Sequence, residues 1–367
     1  MDFIVKENRI QEAIDAANAA GGGRVVLEPG IYHYGTIYLK SFVELHLTAG
    51  ARLQGSSKAE DYDDFKDPAI ESFDGYMPEK SWKCLLVAAH AENIAITGTG
   101  EINGAGPAFY DTNNTDGRFF RKPSIPRPRI LEFVECRNVR IEGVSFVDSP
   151  GWSFWLVGCE EVNISRIRLT GCQKMINNDG IHLDSCRRVM ISDSFIKTGD
   201  DSIVIRAIRK FPDKPVICED VTVCNCVLDS ACQCIRIGCP SDDTARNCTF
   251  SNLTLKGHNG IRVNNPLRYA RKGLEGVYMD NILFNNLSID VENIPIGIDV
   301  EEGVVLRKLG GLTFSNIRLR GGQPCMFEGS ESTYIDDIRF SEIVCDKMPV
   351  AHHCRRVTFN QIEINCE

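Results

Sequence analysis

From Glu92 onward the chain repeats one pattern of apolar and polar positions: apolar-x-apolar, two residues, then apolar-x-apolar again, usually with Asn or Asp just ahead. It occurs as Ile94-x-Ile96, Val139-x-Ile141, Val162-x-Ile164, Val189-x-Ile191, Val221-x-Val223, Cys248-x-Phe250, Ile282-x-Phe284, Leu312-x-Phe314, Ile338-x-Phe340 and Val357-x-Phe359. After the first gap, successive starts lie 23, 27, 32, 27, 34, 30, 26 and 19 residues apart. Alternation with a period of two marks strands. Near-periodic copies of a unit too short to bury its own apolar face mark a solenoid, in which each coil covers the next. A β-sandwich also alternates, but does not hold one motif at a near-constant period, and helices cannot fill units this short. The pattern predicts an all-β fold, a right-handed parallel β-helix, as a single domain over residues 1–367.

Ahead of the repeats, Arg9 to Ala20 is apolar at Ile10, Ala13, Ile14 and Ala17, and Gly21-Gly22-Gly23 ends the run. This spacing predicts a short amphipathic helix capping the open edge of the solenoid. Strands follow at Arg24 to Leu27, Ile31 to Tyr34, Thr36 to Leu39 and Val43 to Leu47, so residues 1 to about 55 read as cap and first coils. Residues 56–82 and 109–128 break the pattern and read as loops, and residues 92–367 hold the repeating coils.

Composition narrows the partners. At 367 residues, 43% hydrophobic, with a net charge of −9 and no long run of Lys or Arg, the chain fits a large folded core and not a nucleic-acid binder. The N-terminus has no basic segment followed by an apolar one, and no 18-residue apolar stretch occurs, so the expectation is a soluble, cytoplasmic protein without a membrane partner. Its oligomeric state is left open. The 16 cysteines then read as reduced thiols packed inside a stack. The cluster Cys218, Cys224, Cys226, Cys232, Cys234, Cys239 has no Cys-x-x-Cys pair, and neither a metal nor another cofactor is expected.

The candidate chemistry lies between Asn177 and Asp201. Asp179 and the Asp200-Asp201 pair flank an alternating run containing Val189, Ile191, Phe195 and Ile196. If this segment makes one turn of the solenoid, residues a turn apart stack about 4.8 Å apart, and the three carboxylates share one patch. Carboxylates so placed cannot all ionise cheaply, which separates an acid from a base, as hydrolysis of a glycosidic bond requires. Asn-Asp-Gly and Gly-Asp-Asp are also ordinary turn sequences, so the residues alone leave both readings open.

Three stretches bring in a family: GIYHYGTIYLKSFVELHLTAGARLQGS, ITGTGEINGAG and RPRILEFVECRNVRIEGVSFVDSPGWSFWLVGCEEVNI. With Asn177-Asn178-Asp179 and Gly199-Asp200-Asp201, they make the chain resemble glycoside hydrolase family 28, the polygalacturonases and rhamnogalacturonan hydrolases. The resemblance implies an inverting hydrolase. Asp200 protonates the leaving oxygen while Asp179 and Asp201 hold and deprotonate the attacking water, across a gap of roughly 6.5–9.5 Å. It also places Asn177 beside the substrate. Two positions depart from the family pattern. Gln233, between Cys232 and Cys234, stands where the family has a histidine, and cannot titrate, unless His182 or His258 supplies that group from another strand. Arg262-Val263-Asn264 keeps the arginine that grips the substrate carboxylate and loses the lysine; Arg236 or Arg206 would aid the grip, or a rhamnosyl or other neutral sugar takes that place.

Trp152 and Trp155 either stack on sugar or pack in the strand array. Tyr62, Phe65 and Tyr76 mark the acidic loop as a wall at one end of a cleft, which predicts exo-action on pectin-derived oligosaccharides, galacturonides or rhamnogalacturonides. The competing readings are a glycosidase or glycan-rearranging enzyme for a neutral sugar, a cation-dependent lyase, and a non-catalytic glycan-binding β-helix.

Overall fold

Each repeat begins at a residue in the left-handed region of backbone space. Asn93, Asn138, Glu161, Arg188, Asp220, Asn247, Asn281, Gly311, Asp337 and Arg356, the residues just ahead of the ten motifs, have φ between 52° and 60°. An isolated left-handed residue kinks an otherwise extended chain, and costs side chains other than Gly, Asn and Asp about 1–2 kcal/mol. That cost explains the Asn and Asp seen ahead of the pattern. A second column, unmarked by the sequence reading, runs through Asn225, Asn252, Asn286 and Asn316, with φ of 52–56°.

The computed structural model describes residues 1–70, 80–209, 215–269 and 276–364. They divide into two units, Met1–His182 with Val189–Asp200, and Leu183–Arg188 with Asp201–Glu367. Both are built from parallel β-helix coils, the architecture that the repeat predicts.

In the first unit, Glu92–Gly98 pairs in parallel with Arg137–Glu142, which pairs with Glu160–Ser165. The register puts Ile94, Val139 and Val162 in one column and Ile96, Ile141 and Ile164 in the next, all buried. The Asn138 amide donates to Asn93 Oδ1 at 2.6 Å, tying one bend to the next. The helix spans Ile10–Ala19, buries Ile10, Ile14 and Ala17, and packs on the strands Asp2–Ile4, Gly23–Leu27 and Val43–Leu47, as a cap does. Residues 109–128 are less irregular than expected. Thr115–Asp116 pairs antiparallel with Phe119–Phe120 around the two-residue loop Gly117-Arg118, whose first residue is a glycine at φ 59°.

In the second unit the strands run through their bends. Thr244–Val263 pairs with Tyr278–Val291, then come Lys308–Gly321, Ile335–Cys345 and Cys354–Ile364. The third motif residue of successive coils is phenylalanine. Phe250, Phe284 and Phe314 stack with centroids 5.0 and 4.8 Å apart and planes 11° and 3° from parallel, close to the strand spacing itself. The bends are laddered too: Asn252 to Asn225 at 3.2 Å, Asn286 to Asn252 at 2.7 Å and Asn316 to Asn286 at 3.2 Å.

All fifteen described cysteines are free and ten are buried, so they pack as small apolar side chains. Burial pushes the Cys248 thiol up to about 12, far from a reactive thiolate. Among the described residues no helix is long and apolar enough to cross a membrane.

One buried carboxylate in the second unit ties distant coils together. Asp243, 1% exposed, meets Arg209 Nε and Arg307 Nη2, each at 2.6 Å, and accepts the Val216 N–H at 2.9 Å. Burial alone would raise its pKa, but these donors and the Thr244 hydroxyl outweigh it and hold the group below its ordinary 3.8. Its stabilisation is therefore present above that ordinary value and is lost as the pH falls through the lower folded-state value. Asp243→Asn is expected to lower unfolding free energy by about 3–5 kcal/mol in denaturant titration at pH 7, and the deficit should shrink toward pH 2. An equal deficit at both pH values would show that the charge is not what stabilises.

Candidate active site

The first unit brings the two aspartate motifs into hydrogen-bond contact. The Asn177 N–H and side-chain amide point at Asp200 Oδ2, at 3.2 and 3.4 Å. The Gly199 and Asp200 N–H groups both donate to the Asn178 carbonyl, at 3.2 and 3.1 Å. The Asn178 side chain, fully buried, accepts from Gly199 at 3.2 Å and donates to the Ser149 carbonyl at 2.6 Å. Gly199 has no substitute here, because a Cβ would lie 2.3 Å from the Met175 carbonyl oxygen. The turn reading and the site reading are thus one structure: both tripeptides are turns, and the turns hold Asp200 half-buried against Asn177.

Asn177 is itself held from behind. Arg127, fully buried, donates through Nη2 to Asn177 Oδ1 at 3.1 Å, and through Nη1 to the Ile176 carbonyl at 2.8 Å and the Tyr110 hydroxyl at 2.6 Å. Tyr110 in turn donates to the same Ile176 carbonyl at 2.6 Å. The sequence reading names neither residue. Nothing in their spacing signals them, since they lie in the loop around 109–128 and meet the 176–177 turn only in three dimensions.

Asp179 is buried at 5% exposure, and His182 Nε2 lies 3.0 Å from its Oδ2. The His182 ring stacks on Trp152 with centroids 4.1 Å apart, and Trp152 meets Trp155 edge-on at 5.7 Å. Behind them Arg129 lies 4.6 Å over the Trp155 ring and pairs with Glu132 at 2.9 Å, both fully buried. The two tryptophans are 3% and 0% exposed, so they pack and position His182 and offer no open face to a sugar. Of the two histidines weighed for the missing family histidine, His182 touches a candidate carboxylate. His258 pairs with Glu292 at 3.2 Å.

In the second unit Asp201 is half-buried, and the Gln233 carbonyl accepts the Ser202 N–H at 2.9 Å. The ladder slips between Ser230 and Gln233, a bulge that re-aims this segment. Beyond it the register stacks Val204, Arg236 and Arg262. Burial works against the charge on Arg236, and Cys239 and Asp201 nearby more than offset that. Arg262 Nε is 2.7 Å from Asp299 Oδ1, and Asn264 donates to Asp299 Oδ2 at 3.2 Å. Sequence reasoning missed Asp299, which is 35 residues beyond Asn264 and becomes its neighbour only through the coil register.

Two expectations need correction. Arg206 is fully buried, with Nε on Asp184 Oδ2 at 2.8 Å, so it belongs to an internal ion pair and not to a substrate grip. Tyr62 is 3% exposed, its hydroxyl on the Ser56 carbonyl at 2.8 Å, so it packs inward and walls nothing off. Phe65 is half-buried. Tyr76 lies outside the described residues.

Comparison with known proteins agrees with this geometry. Residues 52–212 match the model of glycosyl hydrolases family 28. An Arabidopsis thaliana exopolygalacturonase is 30% identical over 53% of this chain and 51% of its own length, so the chain spans about half of that relative. An exopolygalacturonase from Platanus acerifolia is 24% identical over 84% of this chain and 77% of its own. Among solved structures, a hyperthermoactive exopolygalacturonase from Thermotoga maritima superposes with a TM-score of 0.78 at 24% identity, over 99% of this chain and 90% of that one. A polygalacturonase from Erwinia carotovora does so with 0.71 at 18% identity, over 100% and 96%. The structural likenesses establish the shared fold, and the stretch that matches the family 28 glycosyl hydrolases, residues 52–212, holds both aspartate motifs.

Proposed function

We propose that the protein is an inverting glycoside hydrolase that trims pectin-derived oligosaccharides, galacturonides or rhamnogalacturonides, from a chain end. The observation that carries this reading is the hydrogen bonding of Asn177 to Asp200, which joins the two motifs that the family resemblance marks as catalytic. Asp200 gives its proton to the glycosidic oxygen as the bond to the anomeric carbon breaks, so the leaving sugar departs as an alcohol. Asp179 and Asp201, the latter next to Asp200 in the chain, take the proton of the water that adds to the anomeric carbon from the opposite face, which inverts its configuration.

His182 serves this scheme by orienting Asp179. A base needs its carboxylate ionised, and a hydrogen bond donated to an oxygen favours that form. The contact from His182 Nε2 can supply it, with Trp152 fixing the plane of the ring. The exo-mode is supported by relatives named exopolygalacturonases, one of them similar over 84% of this chain.

Asp200→Asn is expected to lower kcat on oligogalacturonides or rhamnogalacturonan oligosaccharides by about 10²–10⁴-fold, with the melting temperature unchanged. Mass spectrometry of early wild-type products should show single sugars first. Wild-type rates in the variant would remove Asp200 from the acid role, and a ladder of mid-length products would contradict the exo-mode.

Arg127→Lys keeps the buried charge but cannot hold Tyr110, Ile176 and Asn177 at once. A shift of the 176–177 turn by about 1 Å should cost about 10²-fold in kcat, with KM nearly constant. A variant that melts earlier yet keeps full kcat when folded would show that Arg127 serves only the fold.

A further inference from the structure

In the second unit, a carboxylate of the protein already occupies the grip that the family resemblance assigns to the carboxylate of the substrate. Arg262 and Asn264 lie two residues apart on one strand, with Val263 buried between them. On the following strand, Ile296–Asp299, Gly297 is the register partner of Arg262 and Ile298 that of Val263. One step further along the same register, Asp299 lies beside Asn264. A Cβ on Gly297 would sit 2.9 Å from Arg262 Nη1 and 3.2 Å from its Cδ, so glycine leaves the floor over which the arginine lies. From there Arg262 Nε reaches Asp299 Oδ1 at 2.7 Å, and the Asn264 amide donates to Oδ2 at 3.2 Å.

We propose that Asp299 is a specificity-determining residue: it fills the carboxylate place of the Arg262–Asn264 pair, so that the subsite there takes a neutral sugar through its hydroxyls instead of a uronate. This rests on the hydrolase reading above only for the identity of the ligand as a pectic oligosaccharide.

Charge favours the neutral sugar. A uronate would bring a second carboxylate against Asp299 while competing for Arg262 with a group tethered beside it, and like charges so placed repel. The family's lysine, which could balance that second charge, is here Asn264.

Hydrogen bonding favours it independently. Asn264 Oδ1 is a buried acceptor without a hydrogen bond among the described residues. The orientation of the Asn264 amide follows from its Nδ2 facing a carboxylate. Sugar hydroxyls donate to such acceptors, whereas a carboxylate brings acceptors only.

The test compares trigalacturonic acid with its carboxyl-reduced counterpart, in which each uronic acid has become galactose. Binding of both to wild type, Asp299→Asn and Asp299→Ser is measured by titration calorimetry, and turnover is followed alongside. Asp299→Ser stands in should Asp299→Asn fail to fold. The expected result is a shift of the affinity ratio toward the acid by about tenfold or more in the variants. An unchanged ratio, a shift toward the neutral trisaccharide, or a wild type that binds neither would overturn the role of Asp299. Binding with the expected shift but no turnover of either compound would leave that role standing and count against the hydrolase reading.

Discussion

Register between neighbouring coils is the constraint on which everything else in this protein depends. A strand displaced by one residue would turn its whole apolar set outward, so each coil must enter its strand at a fixed point. The isolated left-handed residues set that point. In the second unit their side chains are laddered from coil to coil, as with Asn286 on Asn252, and the phenylalanine column from Phe250 to Phe314 repeats the same alignment in the interior.

Once register is fixed, inward positions are committed and outward positions become available for chemistry. Ile235, Ile237, Ile261 and Val263 are buried in the stack, while Arg236 and Arg262, between them in sequence, face the other way in one column. The turns are under the same control. Gly199 can approach the Met175 carbonyl only without a Cβ, and that approach lets the 177–178 turn capture the backbone of 199–200. Buried polar and aromatic groups then serve to hold these turns: Arg127 behind Asn177, and the Trp152–His182 stack behind Asp179.

The parts of this arrangement that a single sequence carries are the local and periodic ones. The alternating motif gives the fold class and the inner columns, the run from Arg9 to Ala20 gives the cap within one residue at each end, and the motifs at Asn177 and Gly199 give the turns that the structure joins. What stays hidden depends on coil length. Asp299 meets Asn264 across 35 residues and Arg127 meets Asn177 across 50, separations that no local pattern encodes. Arg206 and Tyr62 mislead for a related reason: their residue types suit sugar binding, but other parts of the chain cover them, and burial is a property of the assembled coils. The hairpin at Thr115–Phe120 is missed, and 109–128 reads as a loop, because strands of two residues carry no alternation.

The central claim is that water, activated by aspartates, attacks the anomeric carbon while Asp200 protonates the leaving group. Proton NMR of the first-formed product, recorded with wild-type enzyme before mutarotation on a pectic oligosaccharide that it cleaves, tests this most directly. The account predicts a reducing sugar whose anomeric configuration is inverted relative to the bond cut. A retained anomer would require a covalent intermediate, and an unsaturated product would require elimination; either would contradict it.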